Sequence, residues 1–193
     1  MKDIGEILKG ESVELRALEP TFKNAETVFI AVNKNRERLT PYLSWVSETN
    51  SPEDSYNFLK STEEKRKKNM EYVFGIFVGE KYAGSVSMLN IDLIDKKGEI
   101  GYWLAKEFTG KGYLSEAVRI MEDEFFSGNN GLNRISIYVN IKNERSNAVA
   151  KRNNYVLEGI VRDCAFMNGQ FYDYNAYSKL KKEWKTWKDG REA

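Results

Sequence analysis

Apolar positions along the chain change period several times, and the changes mark out the elements. Val13-Glu14-Leu15-Arg16 alternates as a short strand and stops at Pro20. Residues 21–45 read as one helix, with Ala25, Val28, Phe29 and Val32 on a single stripe. Ser51-Pro52-Glu53-Asp54 predicts the next helix start: a capping serine, proline in the first turn, and two acids at the positive end of the helix dipole. Tyr72 to Val78 is a nearly continuous apolar run, expected of a strand covered on both faces. Gly79-Glu80-Lys81 turns it into a second strand over Tyr82 to Leu89. Further strands are predicted over Gly98 to Leu104, Leu132 to Asn140 and Tyr155 to Asp163, and a last one over Tyr172 to Ser178 after the turn Asn168-Gly169. Leu114, Ala117, Val118, Met121 and Phe125 repeat at helical spacing, with a helix end expected near Gly128. Strand, helix and strand from Gly98 to Asn140 make a parallel βαβ unit with a right-handed crossover. The fold class is therefore α+β with a mixed sheet, in one domain over residues 1–193.

Composition narrows the chemistry mainly by what is missing. The 193 residues contain no histidine and one cysteine, which removes Ser-His-Asp and Cys-His nucleophiles, His- or Cys-based zinc sites and disulfides. Cys164 reads as a small apolar filler. Lys and Arg number 30 against 29 acids, so no global field favours nucleic acid or an anionic membrane. No apolar run approaches the roughly 20 residues of a membrane span, and Met1-Lys2-Asp3-Ile4-Gly5-Glu6 is too acidic for a signal peptide. The expected compartment is the cytoplasm. An enzyme of this composition works through carboxylates, hydroxyls, backbone amides and a bound cofactor, with no metal.

Phe108-Thr109-Gly110-Lys111-Gly112-Tyr113 lies between a strand and a helix start. Its glycines permit close backbone approach, and the amides at the helix N-terminus suit a phosphate or pyrophosphate. A P-loop would need glycine at Ala105 and Ser or Thr at Gly112. A dinucleotide fingerprint would need glycine at Ser115 and an acid where Asn140 stands.

Gly98-Glu99-Ile100-Gly101-Tyr102-Trp103-Leu104, the loop Phe108 to Tyr113, and Asn143-Glu144-Arg145-Ser146-Asn147 together resemble the GCN5-related N-acetyltransferases. The likeness runs from about Glu11 to Trp184 and is strongest to the branch that acetylates the N-termini of ribosomal proteins. It implies a mostly antiparallel twisted sheet, with the pantetheine arm of acetyl-coenzyme A lying between two splayed strands of the central βαβ unit. It further implies that the backbone of Trp103, Leu104 and Ala105 pairs with that arm, that amides from Phe108 to Tyr113 hold the pyrophosphate, and that Asn143 touches the arm. Asn143 also reads as a plain helix N-cap. By the same resemblance Glu99 is the candidate base and Ser146 the candidate acid for the leaving thiolate.

The sequence departs from the family pattern at Ala150, where relatives carry a tyrosine acid, and at Ala165, where the N-terminal acetylating branch can carry a glutamate. Glu107 and Thr109 also differ, in a loop that works through its backbone. The acceptor is an amine. Tyr42, Trp45, Phe166, Phe171 and Tyr172 are candidates to line its pocket. Three readings stand open: an acetyltransferase for a protein N-terminus, one for polyamines or other small amines drawing on Asp92, Asp95 and Glu99 despite Lys96 and Lys97, and a non-catalytic coenzyme A sensor. The oligomeric state is open between monomer and homodimer.

Overall fold

The computed structural model describes residues 4–127 and 131–190. Its strands, β1 (Ile7–Lys9), β2 (Glu14–Arg16), β3 (Tyr72–Val78), β4 (Lys81–Asp92), β5 (Lys97–Leu104), β6 (Arg134–Asn140), β7 (Val156–Met167) and β8 (Gln170–Leu180), form one sheet in the order β1-β2-β3-β4-β5-β6-β8-β7. Every pairing is antiparallel except β5 with β6. The helices are α1 (Phe22–Lys34), α2 (Arg36–Leu39), α3 (Pro52–Lys67), α4 (Tyr113–Ser127), α5 (Glu144–Arg152) and α6 (Lys181–Asp189). The α+β class and the parallel βαβ unit expected from the sequence are present. The helix end expected near Gly128 lies outside the described residues.

Two apolar clusters cover the two faces of the sheet. Ile100, Leu104, Ile137 and Val139 pack with Ala117, Val118 and Met121 of α4 and Val149 of α5. Trp103 packs with Val28 and Val32 of α1 and Leu39 of α2 on the other face. Helix α3 starts as its sequence predicts: the Ser51 hydroxyl accepts from Asp54 N at 3.3 Å, while the Asp54 carboxylate accepts from Ser51 N at 2.8 Å.

The single helix expected over 21–45 is broken. Helix α1 stops at Lys34 because Asn35 leaves helical geometry, with φ −113° and ψ 7°. Its side chain donates to the Ala31 carbonyl at 2.9 Å and accepts from the Lys106 amide at 2.8 Å. A distant strand end thus takes over a residue that the local pattern places in a helix. The hairpin of β7 and β8 runs further toward its turn than alternation indicated, to Met167 and Gln170, β8 continues to Leu180, and β1 and α6 are additions. Helix α6 is mostly charged, and Trp184 is its buried residue, 4% exposed and donating from Nε1 to Asp123 Oδ1 at 2.7 Å, while Lys188 pairs with the same carboxylate.

A buried ion pair joins α4 to β8. Lys179 Nζ lies 2.8 Å from both Glu122 oxygens, with the two side chains 2% and 0% exposed. Burial pushes the Glu122 carboxyl up, and the Lys179 charge pulls against that shift. Removing one partner strands a charge in the core. Lys179→Met should therefore lower stability by about 3–5 kcal/mol, read from urea unfolding midpoints. Adding Glu122→Leu should recover most of the loss. A single variant as stable as the wild type would show that the pair contributes nothing.

Candidate functional site

β5 and β6 pair over three residues only: Lys97 with Arg134, Gly98 with Ile135 and Glu99 with Ser136. Beyond them the parallel strands separate, although β5 stays paired to β4 as far as Leu104 and β6 to β8 as far as Asn140. A cavity of about 1220 Å³ opens in the gap. Strand alternation divides its wall between the two faces of the sheet. Tyr102 and Leu104 look toward α4 and α5, and Gly101 and Trp103 toward α1 and α2.

The loop after β5 lies at one end of this cavity. Gly110 and Gly112 adopt φ of +81° and +84°, left-handed values that favour glycine. They bend the chain so that α4 begins at Tyr113 with its amide end toward the gap. The first helical bond runs from Glu116 N to the Gly112 carbonyl at 3.0 Å, and a first turn leaves its own N–H groups without helical acceptors. Ser115 is 6% exposed, yet its hydroxyl, which lines the cavity, has no hydrogen-bond partner among the described residues.

Most of the residues singled out from the sequence meet here. Trp103, Leu104, Phe108, Thr109, Gly110, Gly112 and Tyr113 line the cavity from β5 and its loop, and Asn143 and Ser146 from α5. Asn143 is the N-cap of α5, accepting from Ser146 N at 3.2 Å, and it lines the cavity as well, so both readings of it hold geometrically. Ala105 is turned away, its amide donating to the Ala83 carbonyl at 2.7 Å. Neither Ala105 nor Lys111 lines the cavity. The Leu104 carbonyl accepts from the Arg38 guanidinium. Glu99 lies at the closed end of the gap, outside the lining, and accepts from Asn90 Nδ2 at 3.0 Å.

Among the aromatic candidates, Tyr42 lines the cavity. Trp45 tilts against Trp103 at 6.2 Å. Phe166 and Phe171, each 61% exposed, pack on one another at the β7–β8 turn, and neither they nor Tyr172 reach the lining. Asp92 and Asp95 are engaged elsewhere: Asp92 accepts from the Ile94 and Asp95 amides at 2.9 Å, and Lys97 lies 2.6 Å from Asp95.

Sequence reasoning passed over Tyr102, Arg38 and Asn140. The Tyr102 phenol lies 3.2 Å from Ser146 Oγ and 3.1 Å from the Ser146 carbonyl. Burial holds it protonated, with a pKa near 12. It packs against the same apolar cluster as Ala150, from the strand instead of the helix. Alternation on β5 could have shown that Tyr102 and Leu104 share a face with α5, but only the fold shows which α5 residue they meet. The lining carries four cations, Arg38, Lys142, Arg145 and Arg152, against one acid, Glu144. None of the four cations makes an ion pair among the described residues. Such a surface suits a polyanion.

A family model described as an acetyltransferase (GNAT) domain matches residues 12–156. The "Putative ribosomal N-acetyltransferase YdaF" of Bacillus subtilis is 36% identical over 178 residues, spanning 90% of this chain and 94% of that protein. The "Ribosomal-protein-serine acetyltransferase" of Escherichia coli is 28% identical over 170 residues, spanning 88% and 93%. Among solved structures, RimL, a ribosomal alpha-N-protein acetyltransferase in complex with coenzyme A, superposes with a TM-score of 0.86 at 27% identity, over 92% of this chain and 99% of that one. A sheet opened at its one parallel pair, a glycine loop aiming a helix end into the gap, and these likenesses agree: the chain belongs to the GNAT acetyltransferases.

Proposed function

We propose that this protein transfers the acetyl group of acetyl-coenzyme A to the α-amine of a protein N-terminus, as the names of its relatives state for ribosomal proteins. The observation that carries the reading is the cavity formed where β5 and β6 part after three pairs, open to both faces of the sheet. The unpartnered Ser115 hydroxyl, the amide end of α4 and the cationic side chains of Lys142, Arg145 and Arg152 fit the phosphates of coenzyme A. Such an acceptor places the reaction in the cytoplasm. Among the described residues no helix is long and apolar enough to cross a membrane.

Acetyl-coenzyme A bound there supplies an activated acetyl thioester. The backbone of Trp103 and Leu104 would hold the pantetheine arm, with Asn143 alongside and Ala105 ending the contact. The amides from Phe108 to Tyr113 would hold the pyrophosphate. Glu99, on the same face of β5 as Gly101 and Trp103, takes the proton of the amine through water. Ser146, whose hydroxyl donates to the Tyr102 phenol at 3.2 Å, would turn to give that proton to the departing thiolate and recover one from the phenol, which solvent then reprotonates. With a pKa of about 12, Tyr102 keeps its proton throughout the neutral range. That relay answers the vacancy at Ala150 and favours an enzyme over a passive sensor. A polyamine acceptor finds no acid cluster, because Asp92 and Asp95 serve Lys97 and backbone amides.

Thiol release from acetyl-coenzyme A in the presence of N-terminal peptides, polyamines and aminoglycosides tests this reading. Turnover is expected with the peptides, and turnover confined to polyamines would overturn it. Acetyl-coenzyme A at about 100 times its Kd should stabilise the fold by roughly 2.7 kcal/mol, visible as a rise in Tm, and an equal rise with ATP or NAD would remove the assignment of the loop.

Gly112→Val should weaken coenzyme A binding in a titration, because a branched side chain at positive φ distorts the loop and blocks the approach of a phosphate. Unchanged affinity would place the pyrophosphate elsewhere.

Ser146→Ala and Tyr102→Phe should each lower kcat by at least about 10²-fold with coenzyme A affinity retained. Glu99→Gln should lower turnover at neutral pH, with the deficit shrinking as pH rises and more of the amine is neutral to begin with. Wild-type pH-rate profiles from all three would refute the proton transfers.

A further inference from the structure

The half of the cavity facing α1 and α2 has a chemistry of its own. On β6, Ile137 and Val139 belong to the cluster under α4 and α5, so alternation turns Tyr138 and Asn140 to the opposite face, where Tyr174 of β8 pairs beside Asn140. Together with Trp103 and the α2 residue Arg38 they line this half of the cavity.

Asn140 is 3% exposed. Its Oδ1 accepts from the Lys142 amide at 2.9 Å, which fixes the orientation of the side-chain amide and makes Nδ2 the outstanding donor. Nδ2 is buried and has no hydrogen-bond partner among the described residues, at a position that lines the cavity. A desolvated donor left in this state calls for an oxygen from a ligand.

Arg38 repeats the pattern with a charge. One guanidinium nitrogen bonds the Leu104 carbonyl and, at 3.4 Å, Asn35 Oδ1, which anchors the side chain over the end of β5. Its Nε is buried without a partner, and the residue makes no ion pair among the described residues. Burial and the nearby charge of Arg145 lower its pKa, with Glu107 acting in the opposite direction, so a further anion beside it is favoured. The acidic residue of the lining, Glu144, stands on α5 at the other face. On the acceptor side the lining itself contributes the cation Arg38 and no acid, while Glu107 lies near Arg38 and Glu99 stands at the closed end of the gap.

Resting on the acetyltransferase reading above, we propose that Asn140 and Arg38 form an acceptor subsite selecting acidic N-terminal segments. Asn140 Nδ2 donates to the carbonyl oxygen of the first residue, which covalent geometry holds three bonds from the reacting amine. Arg38 pairs with a carboxylate on one of the next side chains. Amines with no neighbouring carbonyl lack the first contact, and lysine-rich N-termini meet repulsion at the second.

The test uses three peptides with free N-termini that differ only in carrying Asp, Gln or Lys at their second and third positions. kcat/KM should fall in the order Asp, Gln, Lys, with about tenfold or more between the extremes, and the spread should narrow at high salt. Arg38→Gln should flatten the order and Arg38→Glu invert it, each read at saturating acetyl-coenzyme A. Asn140→Leu should raise KM for all three peptides alike, leaving the order intact and the affinity for coenzyme A unchanged. Melting curves establish that each variant is folded. Equal kcat/KM for the three peptides with the wild type would overturn the subsite and leave the N-terminal acetyltransferase standing. An Arg38→Gln variant that loses coenzyme A affinity while keeping the peptide order would give the arginine to the cofactor's phosphates and also overturn it. If no peptide is acetylated, the proposed function fails by itself, and calorimetric binding of the peptides to the protein loaded with coenzyme A decides the subsite: the order Asp, Gln, Lys upholds it, and no order overturns it.

Discussion

The organisation of the molecule depends on how briefly β5 and β6 stay together. Parallel pairing for three residues holds the two parts of the sheet in register, and its failure beyond Glu99 and Ser136 creates the cavity. Neither strand is left unsupported, because β4 and β8 hold their outer edges to the end. The inner edges are consequently held apart with backbone groups facing the gap, and such groups call for a partner. An extended arm bearing amides can supply one, and every proposed contact with the cofactor follows from that geometry. The loop with Gly110 and Gly112 adds a place for negative charge at one end of the same opening.

Because the gap passes through the sheet, each separated strand contributes to two environments. Ile100, Tyr102 and Leu104 look toward α4 and α5, where the phosphate loop and Ser146 stand, while Gly101 and Trp103 look toward the roof made by α1 and α2. Cofactor and acceptor can then approach from opposite faces and meet without competing for one surface. The division rests on the simplest property of a strand, the alternation of its side chains.

Much of this was legible in the residues before any coordinates. Local signals carried the strands, the capped start at Ser51 and the glycine loop, since each depends on neighbours in sequence. Asn143 was placed correctly for the same reason: a cap is a local device. What stayed hidden depended on long-range contacts. Asn35 breaks a helix because Lys106, far along the chain, needs an acceptor. Tyr102 reads as one more aromatic on a strand until α5 brings Ser146 to its hydroxyl. Asn140 and Arg38 carry no motif, and their unpartnered nitrogens become visible only once burial is known. The aromatic residues Phe166 and Phe171 illustrate the opposite error, a suggestive composition that lies at an exposed turn away from the cavity.

The buried pair Glu122–Lys179 bears on how this sequence can drift. It ties the middle of α4, the helix whose first turn faces the cavity, to β8. Loss of either residue alone strands a charge in the core, whereas exchange of both for apolar residues of similar volume removes the conflict. Single-step substitution at these two positions therefore crosses a deep valley of stability, and the two sites are expected to change together or not at all. Across homologues they should behave as a correlated couple, one on a helix and one on a strand, with the aim of the first turn of α4 inherited along with the pair.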